Sequence, residues 1–205
     1  MDTASAAEHV VLLGEDGQAV GTAPKAGVHG PDTPLHLAFS CYVLNERGQV
    51  LITRRAIDKP TWPGVWSNSF CGHPQPAEPL PAAVHRRADF EVGLEITELE
   101  LALPVFRYRA VDATGVVENE ICPVYIASTS GEPRPHPREV MDHAWVDPTD
   151  LGQSIRLTPW VFSPWLVLQA RLLPLLGGEG TGVEHSPKPQ SASLARRAPT
   201  EEAVR

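Results

Sequence analysis

Short apolar runs alternate with turn-forming residues along most of the chain. His9-Val10-Val11-Leu12-Leu13 stops at Gly14-Glu15-Asp16-Gly17, which predicts a strand, a turn and a second strand to about Thr22. Residues 23–34 carry Pro24, Gly27, Gly30, Pro31 and Pro34; they are too punctuated for a helix and predict a loop holding Lys25 and His29. Residues 35–44 predict one long strand, turned by Asn45-Glu46-Arg47-Gly48 into a hairpin partner over 49–55. Period-two spacing puts Leu35, Leu37 and Phe39 on one face and His36, Ala38 and Ser40 on the other.

Residues 79–91 predict the central helix, with Pro81 in its first turn and Gly93 where a C-cap glycine belongs. Arg87 and Glu91, four apart, share a face of it. Residues 99–110 and 116–127 predict two strands around Asp112-Ala113-Thr114-Gly115, with Glu118 and Glu120 facing the same way. A Pro-rich loop over 128–138, a last strand over 140–146 and helical spacing over 159–176 complete the ordered part. Residues 1–8 predict a frayed start, and residues 177–205, without apolar periodicity, a disordered tail. Hairpins mixed with a helix imply one α/β (α+β) domain over residues 9–176 with a mixed sheet.

Composition narrows the function. A net charge of −8 excludes a broad basic field for nucleic acid. No apolar run approaches the roughly 20 residues of a membrane span. Three scattered cysteines with no signal peptide predict a reduced, cytoplasmic setting. Only three of 17 basic residues are lysines, and two of these, Lys25 and Lys59, lie near the chemistry-rich segment 62–74, as phosphate contacts would.

In that segment Cys71 and His73 leave an extended chain on the same face. Cys71 sits among Ser67, Asn68, Ser69 and Gly72, whereas Cys41 and Cys122 sit in apolar strands and read as core. His29, His36 and His73 with Glu118 and Glu120 would make a five- or six-ligand metal site, although the spacing is not a compact signature. Ordinary surface or core histidines are the plain alternative. Trp145 and Trp160 read as core packing, which is the plain reading of Trp62 and Trp66 as well.

From Gly72 the spacing Gly-x5-Glu-x7-Arg runs through Glu78 and Arg86 to Glu91, Gly93 and Leu94, and resembles the Nudix box. Two of its glutamates are replaced, by Arg87 and Phe90, so the ion-binding cluster of a hydrolase is dismantled while Glu91 remains to hold one Mg²⁺-diphosphate. Several stretches together resemble the bacterial type I isopentenyl-diphosphate delta-isomerases. They are residues 35–40, Trp62-Pro63-Gly64-Val65-Trp66, Cys71-Gly72-His73-Pro74, Phe106-Arg107-Tyr108-Arg109-Ala110, Val117-Glu118-Asn119-Glu120 and residues 158–165.

That resemblance implies a Nudix-like fold and migration of a double bond between isopentenyl and dimethylallyl diphosphate in isoprenoid precursor biosynthesis. A proton added at C4 and another removed at C2, through a tertiary carbocation-like state, would be shared between Cys71 and Glu120 with Tyr108. His29, His36, His73, Glu118 and Glu120 match the ligands of one Mn²⁺ (or Zn²⁺, Fe²⁺ or Mg²⁺). Glu91 and the Cys71 carbonyl match contacts of a diphosphate-bound Mg²⁺. Lys25, Arg55, Lys59 and Arg87 match diphosphate contacts, and Trp165 the aromatic wall. The expected partner is a small isoprenoid diphosphate, with neither nucleic acid nor membrane, and the chain a monomer or weak dimer. A divergent Nudix hydrolase and a non-catalytic diphosphate-binding module are the rival expectations.

Overall fold

The computed structural model of the chain describes residues 8–180. In order they form β1 (His9–Leu13), β2 (Ala19–Pro24), the single turn α1 (Lys25–Val28), β3 (His36–Leu37), β4 (Phe39–Leu44), β5 (Val50–Arg55), β6 (Trp66–Ser67) and β7 (Phe70–Gly72). There follow α2 (Leu80–Arg87), a π-helical turn (Ala88–Val92), β8 (Thr97–Leu103), β9 (Arg107–Val111), β10 (Val117–Ile121) and β11 (Val124–Ser128). β12 (Val140–Val146), α3 (Pro148–Leu157) and α4 (Pro164–Ala170) close the chain, with 3-10 turns at Pro159–Val161 and Pro174–Leu176. The frayed start and the tail expected from the sequence lie largely outside the described residues. Glu8 and residues 177–180 lie inside, and both are held: Glu8 on Lys25, and Gly178 N–H on Leu173 O at 2.9 Å.

The strands make two mixed sheets. One runs β2-β1-β3-β10-β9, the other β12-β5-β4-β11-β8, with β6 added to β5 and β7 to β4. Each of three predicted long strands is divided between them: residues 35–44 into β3 and β4, 99–110 into β8 and β9, and 116–127 into β10 and β11. Apolar alternation runs on through each division, so it hides the change of sheet. The visible breaks are Pro104 and Pro123, which cannot donate to a ladder. Backbone bonds stitch the crossings together: Ala38 N–H to Ile121 O at 2.9 Å, Ser40 N–H to Pro123 O at 3.0 Å and Cys122 N–H to Phe106 O at 2.8 Å.

The predicted hairpin between β4 and β5 also needs correcting. They share only the Leu44–Val50 pair before they diverge. The segment 66–72 fills the gap, with β6 pairing on β5 and β7 on β4. At its apex side chains replace the missing ladder: Ser69 Oγ accepts from Val43 N–H at 2.8 Å and donates to Leu51 O at 2.7 Å. Asn68 Nδ2 donates to Cys41 O at 3.0 Å. Buried backbone groups need such partners, so the Ser-Asn-Ser composition of this segment is structural as well as chemical.

β4 is buried on both faces. Phe39, Cys41 and Val43 pack toward α2, in the cluster with Ala83, Val84 and Val92. Tyr42 packs on the other side with Leu151, Ile155, Trp165 and Leu166 of α3 and α4. The predicted central helix stops at Arg87 and widens into the π-helical turn, a local irregularity common near functional sites. Gly93 ends that turn in the left-handed region at φ 64°, and a Cβ there would meet Arg134 O at 2.6 Å. Gly93→Ala is expected to destabilise the fold by about 1–3 kcal/mol, read as a lower urea midpoint at unchanged slope.

The periodicity of the sequence does not announce α3. Its cue is Asp147 capping Thr149 N–H at 2.8 Å, with Pro148 in the first turn. The predicted 159–176 helix is a 3-10 turn, a seven-residue helix and another 3-10 turn, divided around Ser163-Pro164 and before Pro174. Trp160, expected in the core, is 77% exposed on the first of these turns.

Candidate active site

Strand register assembles the first cluster. β3 and β10 pair in parallel with His36 opposite Glu120, and β10 pairs with β9 so that Tyr108 is also opposite Glu120. His36, Glu120 and Tyr108 therefore stand in a row across three strands, on one face. His73, just beyond β7, and His29, just beyond α1, reach the same place. Ligand atoms of His29, His36, His73 and Glu120 all lie within 4.8 Å of one another, and this group could bind a metal ion.

The donor set suits a cation. His36 Nδ1–H donates to Pro34 O at 2.9 Å, so a neutral ring turns the lone pair of Nε2 toward Glu120 Oε1 at 3.4 Å. Among the described residues, His29 Nε2, His36 Nε2, His73 Nδ1 and Glu118 Oε2 are buried with no hydrogen-bond partner. Such atoms are costly unless something polar meets them. Glu118 Oε2 lies 3.1 Å from His29 Nε2, but Glu118 falls outside the four-residue group.

Charge within the cluster is finely divided. Burial pushes the Glu120 carboxyl up, but the closeness of the His36 and His73 imidazoles wins and holds it well below the usual range. Burial works against a charged His36, yet Glu120 raises it above the ordinary imidazole value. Burial pushes His73 down to about 4, against Glu120, to which its Nε2 lies at 3.1 Å. Tyr108 donates to Glu120 Oε2 at 2.8 Å. Burial first, then the neighbouring carboxylates, push that phenol well up, so it stays a donor.

Cys71 pairs opposite Ser40 across β7 and β4. It lies deep in the mass of the protein while part of its surface remains exposed. Burial pushes its thiol up to about 11, against the opposing hydrogen bonds from Ser40 and Asn68. Gly72 beside it is required by packing: a Cβ would stand 2.8 Å from both Arg87 Cγ and Phe39 Cζ.

The basic residues form a second cluster. Arg87 pairs with Glu91 at 2.6 Å, as the four-residue spacing predicts, and is nearly wholly buried. Glu139 bonds Lys59 and lies 3.6 Å from Arg87, while Lys59 stands 3.9 Å from Glu91. Lys25 bonds Glu8 at 2.6 Å, and Glu8 also lies 3.9 Å from Arg87. Sequence reasoning missed Glu8 and Glu139, which carry no motif and reach the cluster from distant segments. Phe90, where the Nudix box has Glu, lies under the Arg87 guanidinium at 5.0 Å and stacks on His136 at 5.0 Å.

Arg55 links the basic residues to the aromatic ones. Its guanidinium bonds Thr61 O at 2.8 Å and sits 5.3 Å over the Trp165 ring. Trp62 meets Trp165 edge-on at 5.5 Å and Tyr108 lies 5.8 Å from it. Trp165 Nε1–H is fixed by Ser67 Oγ and Asn68 Oδ1, both at 3.0 Å. The ring is thus anchored to the same asparagine that meets Cys71.

The sequence matches the NUDIX domain family over residues 34–166. It is 66% identical over 175 residues to the isopentenyl-diphosphate Delta-isomerase of Agromyces mediolanus, covering 85% of each chain. To the isopentenyl-diphosphate Delta-isomerase of Clavibacter michiganensis subsp. michiganensis it is 57% identical, covering 94% of this chain and 96% of that one. A crystal structure from Deinococcus radiodurans superposes with a TM-score of 0.57 at 20% identity, over 74% of this chain and 90% of the other. That likeness concerns the fold alone.

Proposed function

The chain belongs to the isopentenyl-diphosphate Delta-isomerases built on the Nudix fold, and from this premise we propose how its residues divide the work. The enzyme interconverts isopentenyl and dimethylallyl diphosphate. An unactivated alkene is a weak base, so a positioned acid and a positioned base are both needed. Cys71 handles one proton, and Glu120, with Tyr108 on its second oxygen, handles the other. The observation that carries this assignment is the shared Glu120 carboxylate, with His36 and His73 on Oε1 and Tyr108 on Oε2.

His29, His36, His73, Glu118 and Glu120 would hold one divalent ion, Mn²⁺ first, with Zn²⁺, Fe²⁺ or Mg²⁺ as substitutes. When bound, that ion supplies positive charge beside Glu120 and so sets its proton affinity. Glu91 and the Cys71 carbonyl would meet a Mg²⁺ on the substrate diphosphate. Lys25, Arg55, Lys59 and Arg87 bind the diphosphate; the carboxylates of Glu8 and Glu139 pair with Lys25, Lys59 and Arg87 and hold them in place. Trp165 faces the reacting carbons, where its ring stabilises positive charge at C3 by on the order of 1–2 kcal/mol. Trp62 and Trp66 help exclude water that would trap the cation. Three free thiols suit a cytoplasmic location, and among the described residues no helix is long and apolar enough to cross a membrane.

A Nudix hydrolase would need free carboxylates for its ions. Here two of those positions hold Arg87 and Phe90 instead, with the Phe90 ring under the Arg87 guanidinium at 5.0 Å. One assay separates the readings: isopentenyl diphosphate with Mg²⁺ and Mn²⁺ in D₂O, followed by NMR. Deuterated dimethylallyl diphosphate is the expected product. Released phosphate would favour a hydrolase, and tight binding without turnover a binding module.

A further inference from the structure

The hydrogen atoms around Cys71 can be placed one at a time. Tyr42 is wholly buried, and its hydroxyl has one hydrogen-bond partner among the described residues, Gln169 Oε1 at 2.7 Å. A buried O–H that does not donate costs about 1–3 kcal/mol, so Tyr42 donates and the Gln169 amide is oriented by it. Gln169 Nε2–H then donates to Ser40 Oγ at 2.9 Å. That oxygen also lies 3.3 Å from Cys71 Sγ and 3.4 Å from Cys122 Sγ. Cys122 is buried with no other acceptor among the described residues, so its S–H takes the second lone pair of Ser40. The hydroxyl hydrogen of Ser40 is left for the sulfur of Cys71.

The other side of the thiol is equally determined. Asn68 Nδ2 faces two carbonyls, Cys41 O at 3.0 Å and Phe70 O at 2.7 Å. Neither can donate, which fixes the amide and leaves Oδ1 as a pure acceptor, 3.0 Å from Trp165 Nε1 and 3.3 Å from Cys71 Sγ. Ser67 Oγ, also within 2.9 Å of it, has Ser163 Oγ at 3.0 Å as another acceptor, so the second lone pair of Oδ1 serves the thiol. The Cys71 hydrogen therefore points to Asn68, and a sulfur lone pair accepts from Ser40.

We infer that Tyr42, Gln169, Ser40 and Asn68 are positioning residues for the isomerisation, a one-way hydrogen-bond chain that sets the direction of the Cys71 thiol. The chain bears on turnover only if Cys71 handles a proton, as proposed above. When the S–H proton passes to carbon, the alkene π pair forms the C–H bond and the S–H pair stays on sulfur. Ser40 O–H still meets that sulfur, while Asn68 Oδ1 has no hydrogen to offer it. The chain thus supports the charge on one side and favours return of a proton on the other. In the reverse step the sulfur pair takes the proton and the C–H pair becomes the π bond.

Gln169→Glu tests the direction with little change of shape. It keeps an acceptor for Tyr42 but presents an acceptor to Ser40, which draws the Ser40 hydrogen away from sulfur. In the metal-loaded enzyme, kcat is expected to fall ~10–100-fold with KM nearly unchanged, the worth of one directed hydrogen bond. The infrared S–H band of Cys71, assigned by its loss in Cys71→Ala, should shift in Gln169→Glu and in Ser40→Ala, and return in Ser40→Thr. Normal kcat and an unmoved band in folded Gln169→Glu would overturn the inference. Should the variants not fold, the native band decides: the frequency of a free thiol overturns the chain, a lowered one supports it. Normal turnover in Cys71→Ala would remove the catalytic role of the thiol, yet the band shift in Gln169→Glu would still report the orientation independently.

Discussion

Cys71→Ala is expected to lower turnover of isopentenyl diphosphate by roughly 10²–10⁴-fold, the usual worth of a positioned acid or base. Burial pushes the thiol up to about 11, so at neutral pH it carries its proton. The substitution removes a single sulfur from a segment whose backbone is held by Ser69, Asn68 and the β7 ladder. The variant should consequently fold, with a melting temperature near that of the unaltered enzyme. NMR in D₂O gives the rate and, at the same time, the deuterium at C4. Turnover within tenfold of the parent enzyme would take Cys71 out of the mechanism.

Much of this site is visible in the sequence because local parity survives folding. Cys71 and His73 are two apart beside a strand, and Arg87 and Glu91 four apart, and the latter pair meets at 2.6 Å. His29, His36 and His73 come together with Glu120 in a group that could bind a metal, and Glu118 stands beside His29. Parity cannot say which strand lies beside which. The rows His36–Glu120–Tyr108 and Ser40–Cys71 exist because three runs change sheets at Ala38, Pro104 and Pro123, and because segment 66–72 wedges β4 from β5. Alternation looks the same on both sides of such a crossing. Long-range ionic partners are equally silent: Glu8 and Glu139 are ordinary glutamates until folding brings them to Arg87. Asn68, in a polar run, gives no hint that its amide is fixed by two carbonyls.

Glu120→Gln should be as damaging as loss of the thiol, for a different reason. The carboxylate serves two sides at once, with Oε1 toward His36 and His73 and Oε2 toward Tyr108. A glutamine has one acceptor oxygen and one donor nitrogen. Turned one way, its NH₂ faces Tyr108, which also donates; turned the other, it faces the imidazoles and any cation they share. Either orientation loses a partner, and the amide cannot exchange a proton with carbon. Turnover should fall about 10²–10⁴-fold. Metal retained after dialysis should fall with it. Glu118→Gln is the control, since Glu118 touches the cluster through His29 and lies outside the four-residue group. It should weaken metal retention yet spare more activity once metal is supplied in excess. Were Glu120→Gln rescued by excess metal to the same degree, Glu120 would be a ligand alone, and the proton would have to be handled by Tyr108 or another group.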